Sequence, residues 1–271
     1  MAKKQAAIEE TKELVRRSNM LPASPLMEED AGAGTGNAGA ESYSIPYLVV
    51  LQKGSPQCDP SDGKYIDGAK QGQLFNTVTQ ECVDGDKGVL VVPVEFLRAY
   101  TEWVDRNAGG GFRGMHQVDA DIVKLAQPGP SGRLLTESGN YLNDTRYHFC
   151  LIVTDERIDQ AVLSLSSTQI KKSKQWMTQM RSLKLKGKNG LFTPPTFSHV
   201  YRITTVPESN EKGKWYGIKV VLERPLILTD ELDLQIYQIA KAFREQVATG
   251  TAKVADPGAI AETESSEAIP F

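Results

Sequence analysis

The chain has 271 residues, of which 40% are apolar and 24% charged, a composition typical of a soluble globular protein. The formal net charge of −3 excludes a protein that is basic overall, so a nucleic-acid partner would have to be recognised by a local surface. The three cysteines, Cys58, Cys82 and Cys150, are far apart and form no CxxC pair, which argues against a disulfide framework or a zinc site.

The first 42 residues are predicted to lie outside the folded core. Residues 3–17 are compatible with a short charged helix, and residues 22–42 are rich in Gly, Ala, Pro and acids, which predicts a flexible linker. The start of the chain lacks the apolar stretch of a signal peptide, and no run approaches the roughly 20 apolar residues of a membrane span. We therefore expect a cytoplasmic protein without a membrane partner.

Order is predicted from residue 43 to residue 248. Extra strands are expected within 45–83. The apolar run 88–103 is the strongest strand signal, and Pro93, which cannot donate a ladder hydrogen bond, indicates an edge or a bulge there. Residues 104–144 are predicted to form a long irregular connection.

Helical spacing predicts two helices in the second half of the chain. The first covers 167–183 with Ser167 or Thr168 as its N-cap, and the second is a C-terminal helix over 230–247 capped by Thr229. Further strands are predicted over 145–153, 160–166, 199–206 and 215–223.

This order of elements predicts a mainly β fold of the α+β class. Three strands, a helix and two strands are the sequence of an OB-fold, a five-stranded barrel whose helix lies between strands three and four. The strands before residue 88 and the helix after residue 229 would be additions to that OB-like core. Residues 249–271 are small, polar and acidic, and are predicted to be a disordered tail.

Charge is segregated along the chain. Residues 160–207 contain no Asp or Glu but eight basic residues, whereas residues 256–271 contain four acids and no base. One interpretation is a solvated basic face; the other is a site for a polyanion, which would turn the mutual repulsion of these bases into attraction. The eight basic residues are Lys171, Lys172, Lys174, Arg181, Lys184, Lys186, Lys188 and Arg202.

Aromatic residues are interleaved with these basic residues. This pattern is expected where unpaired nucleobases stack on aromatic rings while Lys and Arg side chains contact the phosphates. Strand alternation favours an outward-facing Trp215 beside Lys219, whereas packing and stacking are equally good interpretations of Trp176. The glycine-rich stretch GGGFRG adds a ring and a guanidinium in a loop. The candidate residues for single-stranded DNA, beyond the eight bases, are Trp103, Arg106, Phe112, Arg113, Arg146, Trp176, Trp215 and Lys219.

Catalysis is not expected. His116, His148 and His199 have no metal-ligand spacing, and the chain has neither a nucleophile elbow nor a Walker motif. Local acid pairs, such as Asp84 with Asp86 and Asp119 with Asp121, occur where turns favour Asp. We expect no cofactor and no metal, although acids gathered around Mg²⁺ in the fold would make a nuclease.

Two resemblances bear on function. The terminal ESSEAIPF resembles the acidic tip of bacterial single-stranded DNA-binding proteins, which implies that Ile269, Pro270 and Phe271 dock replication, recombination and repair proteins. The stretches IPYLVVLQKGSP, GAKQGQLFNT and VVPVEFLRAYTEW are similar to a group of tailed-bacteriophage proteins that includes single-stranded DNA-binding proteins. Together these resemblances imply a phage-encoded binder acting in the host cytoplasm.

The sequence therefore leads to one preferred function and three alternatives. The preferred function is single-stranded DNA binding in phage replication and recombination, by a protein that is either a monomer or a homo-oligomer. The alternatives are a strand-annealing recombination protein, which needs the same basic surface, a metal-dependent nuclease, and a structural virion protein.

Overall fold

The computed structural model describes residues 24–36, 38–39, 42–105, 108–129, 133–211 and 213–255. The chain divides into two units, residues 1–42 and residues 43–271. In the first unit a short helix, α1 (Pro25–Glu29), is exposed along its length and buries no side chain. The helix predicted over 3–17 lies outside the described residues.

The second unit is mainly β. Its short helices of 3₁₀ type are Pro56–Cys58, Ser167–Gln169 and Thr196–Ser198, and its α-helices are α2 (Asp121–Leu125), α3 (Ile170–Ser182) and α4 (Glu231–Ala248). Its strands are β1 (Leu48–Val50), β2 (Leu74–Asn76), β3 (Cys82–Val83), β4 (Val89–Trp103), β5 (Phe112–Gln117), β6 (Gln127–Pro128), β7 (Leu134–Leu135), β8 (Tyr141–Val153), β9 (Ile158–Ser166), β10 (Leu185–Gly187), β11 (Gly190–Phe192), β12 (His199–Asn210) and β13 (Gly213–Pro225).

The five long strands form a curled antiparallel sheet, a half-barrel, in the order β13–β12–β4–β8–β9. Strand β5 pairs with the far end of β4, and β7 and β6 continue the sheet beyond the start of β8. Strands β1, β2 and β3 form a separate three-stranded sheet, and β10 pairs only with β11.

The predicted long strands and the helices predicted over 167–183 and 230–247 are confirmed in kind and order, with two corrections at helix starts. The stretch 104–144, predicted as an irregular connection, instead contains β5, α2, β6, β7 and the first residues of β8, because β4 and β8 are long enough to pair with β5 and β7. The ladder between β4 and β8 shifts register between Pro93 and Glu95, so the bulge predicted at Pro93 is present. Neither Ser167 nor Thr168 caps α3, because both lie in the 3₁₀ turn before it and Gln169 occupies the N-cap position. Helix α4 is capped one residue later than predicted, by Asp230, whose carboxylate accepts a hydrogen bond from the Asp233 amide.

Among the described strands, β9 and β13 do not pair with each other, so the predicted barrel is not closed by backbone ladders. The segment that precedes β1 runs along β9, where Val162 N donates to Pro46 O at 2.9 Å. At the edge of β13, the Gln52 amide both accepts from Tyr216 N and donates to Tyr216 O, each at 2.9 Å. Gln169 Oε1 accepts from Ile218 N two residues further on. Side-chain amides thus satisfy backbone groups that a neighbouring strand would otherwise pair.

Strand alternation sends apolar side chains to both faces of the sheet, and each face is covered by one helix. The inner face packs around Trp176 and Met180 of α3, and the outer face packs against Ile236, Ala240 and Phe243 of α4. The inner cluster includes Leu48, Leu74, Val91, Leu163, Leu165, Tyr201, Ile203 and Ile218; the outer cluster includes Tyr47, Leu51, Val92, Phe149, Leu151 and Val162.

His148 lies in the inner core and makes stability depend on pH. It is buried, its Nε2 lies 2.8 Å from Ser173 Oγ, and burial together with the nearby charge of Arg146 lowers its pKa from 6.5 to about 3. The folded protein therefore holds a neutral imidazole, while the unfolded chain takes up a proton below pH 6.5. This contribution to stability is complete above pH 6.5 and is lost as pH falls toward 3, by about 1.4 kcal/mol per pH unit.

Urea unfolding of the wild type and of His148→Gln between pH 7 and pH 4 measures this effect. We expect the stability advantage of the wild type over His148→Gln to shrink as pH falls through this range. An advantage that stays constant from pH 7 to pH 4 would show that His148 is not held neutral in the folded state.

Candidate nucleic-acid interface

Helix α3 presents one face to the core and a basic face to solvent. Ser173, Trp176 and Met180 recur at spacings of three and four residues, and all three are buried. The opposite face carries Lys171, Lys174 and Arg181, which are all exposed, and the helix contains no acid. The amphipathic pattern therefore lines up positive charges along the solvent side of the helix.

The hairpin of β10 and β11 follows α3 directly and continues the positive charge. Lys184, Lys186 and Lys188 are exposed, and the Lys184 ammonium donates to the hydroxyl of Thr193 at the base of the hairpin. Phe192 is 47% exposed, and its ring lies so close to Gly187 that a side chain there would approach ring carbons to 3.2 Å. The exposed ring is thus held against the glycine.

We call these six exposed cations, Lys171, Lys174, Arg181, Lys184, Lys186 and Lys188, the basic surface. Within the described parts of the chain, none of them forms an ion pair with an acid. Because α3 leads into the hairpin with only Leu183 and Lys184 between them, the helix and the hairpin bring these charges to one region of the molecule. Their field is not neutralised locally and is available to an anionic partner.

Three of the basic residues predicted to bind DNA are already paired with carboxylates of the protein. Lys172 pairs with Glu208 at 2.7 Å and Arg202 pairs with Glu223 at 2.9 Å. Arg146 is buried and donates to Asp144 at 2.9 Å. The acid-free stretch of sequence is therefore not free of acids in space, since the fold brings Glu208 of β12 to Lys172 and Glu223 of β13 to Arg202. Arg146, outside that stretch, is held by Asp144 of its own strand.

Glu208 binds three side chains from two parts of the fold. Besides Lys172, its carboxylate accepts hydrogen bonds from Gln169 Nε2 at 3.0 Å and from Trp215 Nε1 at 2.9 Å. Partial burial raises the pKa of Glu208, but these hydrogen bonds and the charge of Lys172 outweigh it, and the net effect is a lowered pKa. The ionised carboxylate therefore ties the start of α3 to the β12–β13 hairpin.

Two of the three candidate tryptophans, Trp176 and Trp215, are buried, so neither of them offers a free face to a nucleobase. Trp176 is 1% exposed; its ring stacks on His148 at 4.6 Å and meets Tyr201 edge-on at 5.7 Å. Trp215 is 9% exposed, which makes the prediction of an outward ring wrong. Alternation does turn Trp215 away from the inner core, but Gln169 and Glu208 cover that face of β13, and a side chain at Gly217 would collide with both.

A second group of predicted residues lies where β4 meets β5. Trp103 and Phe112 are half-buried, with ring centroids 5.3 Å apart in an edge-on arrangement, and Arg113 is exposed beside them. Arg106 lies outside the described residues. Lys219 is exposed on β13, opposite Thr204, and belongs to neither group.

A polar cluster on β4 and β8 was missed by the sequence analysis. Arg98 donates to both carboxylate oxygens of Asp144 at 3.1 and 2.9 Å, and Asp144 also holds Arg146. Tyr100 OH accepts from Arg98 at 3.1 Å. The alternation of Arg98 and Tyr100 within a strand was the available signal, but their pairing with Asp144 depends on the register of two strands 46 residues apart.

This cluster borders a cleft of about 190 Å³ that reaches the start of α3. A cleft of this size is smaller than the roughly 300–1,000 Å³ of typical small-molecule sites. Its lining residues are Tyr100, Arg133, Leu134, Tyr141, Leu142, Asn143, Asp144, Ser167 and Ile170.

The acid pairs considered for a nuclease do not assemble into a metal site in the described part of the chain, where no group of three or more His, Cys, Asp or Glu could hold an ion. Asp84 accepts a hydrogen bond from the Asp86 amide at 2.9 Å, which is the turn role expected of it.

No helix within the described ranges is long and apolar enough to span a membrane. Ile269, Pro270 and Phe271 lie outside the described residues.

Comparison with known proteins identifies a family. A search of curated proteins found no match, and a search of solved structures found none either. The family model described as Pam3 phage gp34-like protein matches residues 15–253, which include the whole half-barrel, α3, the β10–β11 hairpin and α4. The chain therefore belongs to the Pam3 phage gp34-like family of bacteriophage proteins.

Proposed function

We propose that this phage protein binds single-stranded DNA through the basic surface and the exposed ring of Phe192. The observation that carries the proposal is the juxtaposition of six exposed cations, none paired with an acid in the described chain, with an aromatic side chain held in place among them. In this proposal the protein acts by binding, without catalysis, in the cytoplasm of the infected host.

The chemistry favours a single strand over a duplex. Cations that neutralise phosphates release condensed counterions, which supplies affinity without sequence preference. A base can stack on Phe192 only if that base is not already stacked and paired within a helix, and such stacking contributes about 1–3 kcal/mol per base.

The fold supports the same proposal. In the half-barrel, counting its strands from β4, strand one pairs with two and four, two with three, and four with five, and α3 lies between three and four. This is the strand order of an OB-fold without its closing pair, and OB-folds commonly bind single-stranded nucleic acids. We propose on this basis that the domain is OB-like.

Fluorescence titration of labelled oligonucleotides tests the function. We expect tight binding to single strands of any sequence and weaker binding to duplexes of equal length. If the six cations each meet a phosphate, the plot of log affinity against log salt concentration has a slope of about −4. A slope near zero, or equal affinity for duplex and single strand, would contradict the proposal.

We further propose that Ile269, Pro270 and Phe271 recruit replication or recombination proteins, as the resemblance of the tip implies. Deletion of residues 264–271 tests this division of labour. We expect the shortened protein to keep its affinity for single-stranded DNA and to lose capture of such partners from an infected-cell extract. Loss of DNA affinity on deletion would show instead that these residues belong to the DNA site.

A further inference from the structure

The β10–β11 hairpin exposes apolar side chains on both of its faces. Leu185 lies directly opposite Phe192 on one face, and Leu191 lies opposite Lys186 on the other. Leu191 is 75% exposed and Leu185 is 41% exposed. A hairpin that packed on its own protein would bury one face and solvate the other, whereas this hairpin leaves apolar side chains exposed on both faces.

The hairpin is nevertheless a defined structure and not a loose loop. Its base is held by the hydrogen bond of Lys184 to Thr193 and by the buried Pro194 that follows. Its turn is completed by Gly190, which has a φ of +110°, a conformation that side chains disfavour. The Phe192 ring lies against Gly187, diagonally across the hairpin ladder.

The charge around these apolar groups indicates what they meet. The only charged residues of the hairpin and its base are Lys184, Lys186 and Lys188, and the helix before it adds Arg181. Apolar side chains set among unpaired cations fit stacked bases flanked by phosphates. Apolar side chains inserted between base steps are a recurrent means of unstacking DNA.

We propose that the β10–β11 hairpin is a wedge that enters the junction between single-stranded and duplex DNA and separates the terminal base pair. The inference rests on the proposed single-strand binding, which brings the hairpin to the junction. Phe192 and Leu185 face the bases of the bound strand, Leu191 faces the bases of the displaced strand, and the lysines hold the phosphates of both. The activity is binding-driven opening of a few base pairs and needs no nucleotide hydrolysis.

The test uses the full chain and a DNA substrate, a short duplex closed at one end by a nucleotide loop and extended at the other by a single-stranded tail. The DNA carries 2-aminopurine in the base pair at the junction of duplex and tail. The wild type is expected to raise 2-aminopurine fluorescence, because the fluorophore becomes unstacked. Leu191→Ser is expected to lower the ratio of open to closed junctions roughly tenfold, as a loss of about 1.4 kcal/mol would. Leu125→Ser is the matched control, since Leu125 is 71% exposed on α2, outside the hairpin, and is expected to leave opening unchanged.

Affinity for a single-stranded oligonucleotide is measured on the same three proteins. Equal single-strand affinity with opening lost only in Leu191→Ser supports the wedge. A wild type that binds single strands but leaves the junction closed overturns the wedge and spares the proposed function, whereas a wild type that binds no single strand overturns both. If Leu191→Ser instead dissociates an oligomer seen by mass measurement while opening persists, the hairpin is a protein contact and the wedge is wrong.

Discussion

Replacing Lys171, Lys174 and Arg181 together by Gln is expected to lower single-stranded DNA affinity by about tenfold or more at low salt and to flatten its salt dependence. Three phosphate contacts account for about 2 units of the slope of log affinity against log salt concentration. The fold should be unaffected, because all three side chains are exposed and their removal relieves like-charge repulsion along α3.

The control for this variant is the triple change of Lys53, Lys70 and Lys241 to Gln. It alters the net charge by the same amount at exposed positions outside the basic surface. The slope is expected to stay at its wild-type value in the control. An equal loss of affinity in both triple variants would mean that overall charge, and not the basic surface, attracts DNA.

Trp176→Ala is expected to reduce the free energy of unfolding by about 3–5 kcal/mol, as large-to-small changes at buried aromatic positions do. The residue is almost fully buried between His148 and Tyr201, so its loss leaves a cavity at the point where α3 meets the inner face of the sheet. Denaturant unfolding followed by circular dichroism measures the effect.

Trp176→Phe separates a packing role from a DNA contact at the same position. The Trp176 indole N–H is buried without a hydrogen-bond partner, so Phe removes an unsatisfied donor while keeping an aromatic ring in the core. We expect this variant to lose less stability than Trp176→Ala and to bind single-stranded DNA as the wild type does. A tenfold loss of affinity in a stable Trp176→Phe protein would place the ring in the DNA site.

The predictions that were confirmed depend on neighbours in the chain. Alternation within 88–103 and helical spacing in 167–183 reflect which side chains one element turns toward the core, and this information lies within a single element. The absence of acids from residues 160–207 likewise located the basic surface, since helix α3 and the β10–β11 hairpin are contiguous in the chain and cannot be far apart.

The features that were missed depend on residues far apart in the chain. Whether Trp215 is free depends on its cross-strand partner Glu208 and on Gln169, which reaches this face of β13 only when the start of α3 lies against the β12–β13 hairpin. Whether Arg98 meets Asp144 depends on the register of β4 against β8. The backbone N–H and C=O of Tyr216 at the edge of β13 are bonded by the side chain of Gln52, 164 residues away in sequence. A closed five-stranded barrel would instead have paired this edge with β9.

The sequence by itself thus determined the kinds and order of the long strands and of the two long helices, and the region where positive charge accumulates, because each of these is a property of a local segment. Only the tertiary structure decided which cations remain unpaired, which aromatic rings stay exposed and which side chains bond the backbone groups at the open edge of the half-barrel. Those outcomes depend on the distance between groups on different elements, and Coulomb attraction, burial and hydrogen bonding all act at a few ångströms regardless of separation along the chain.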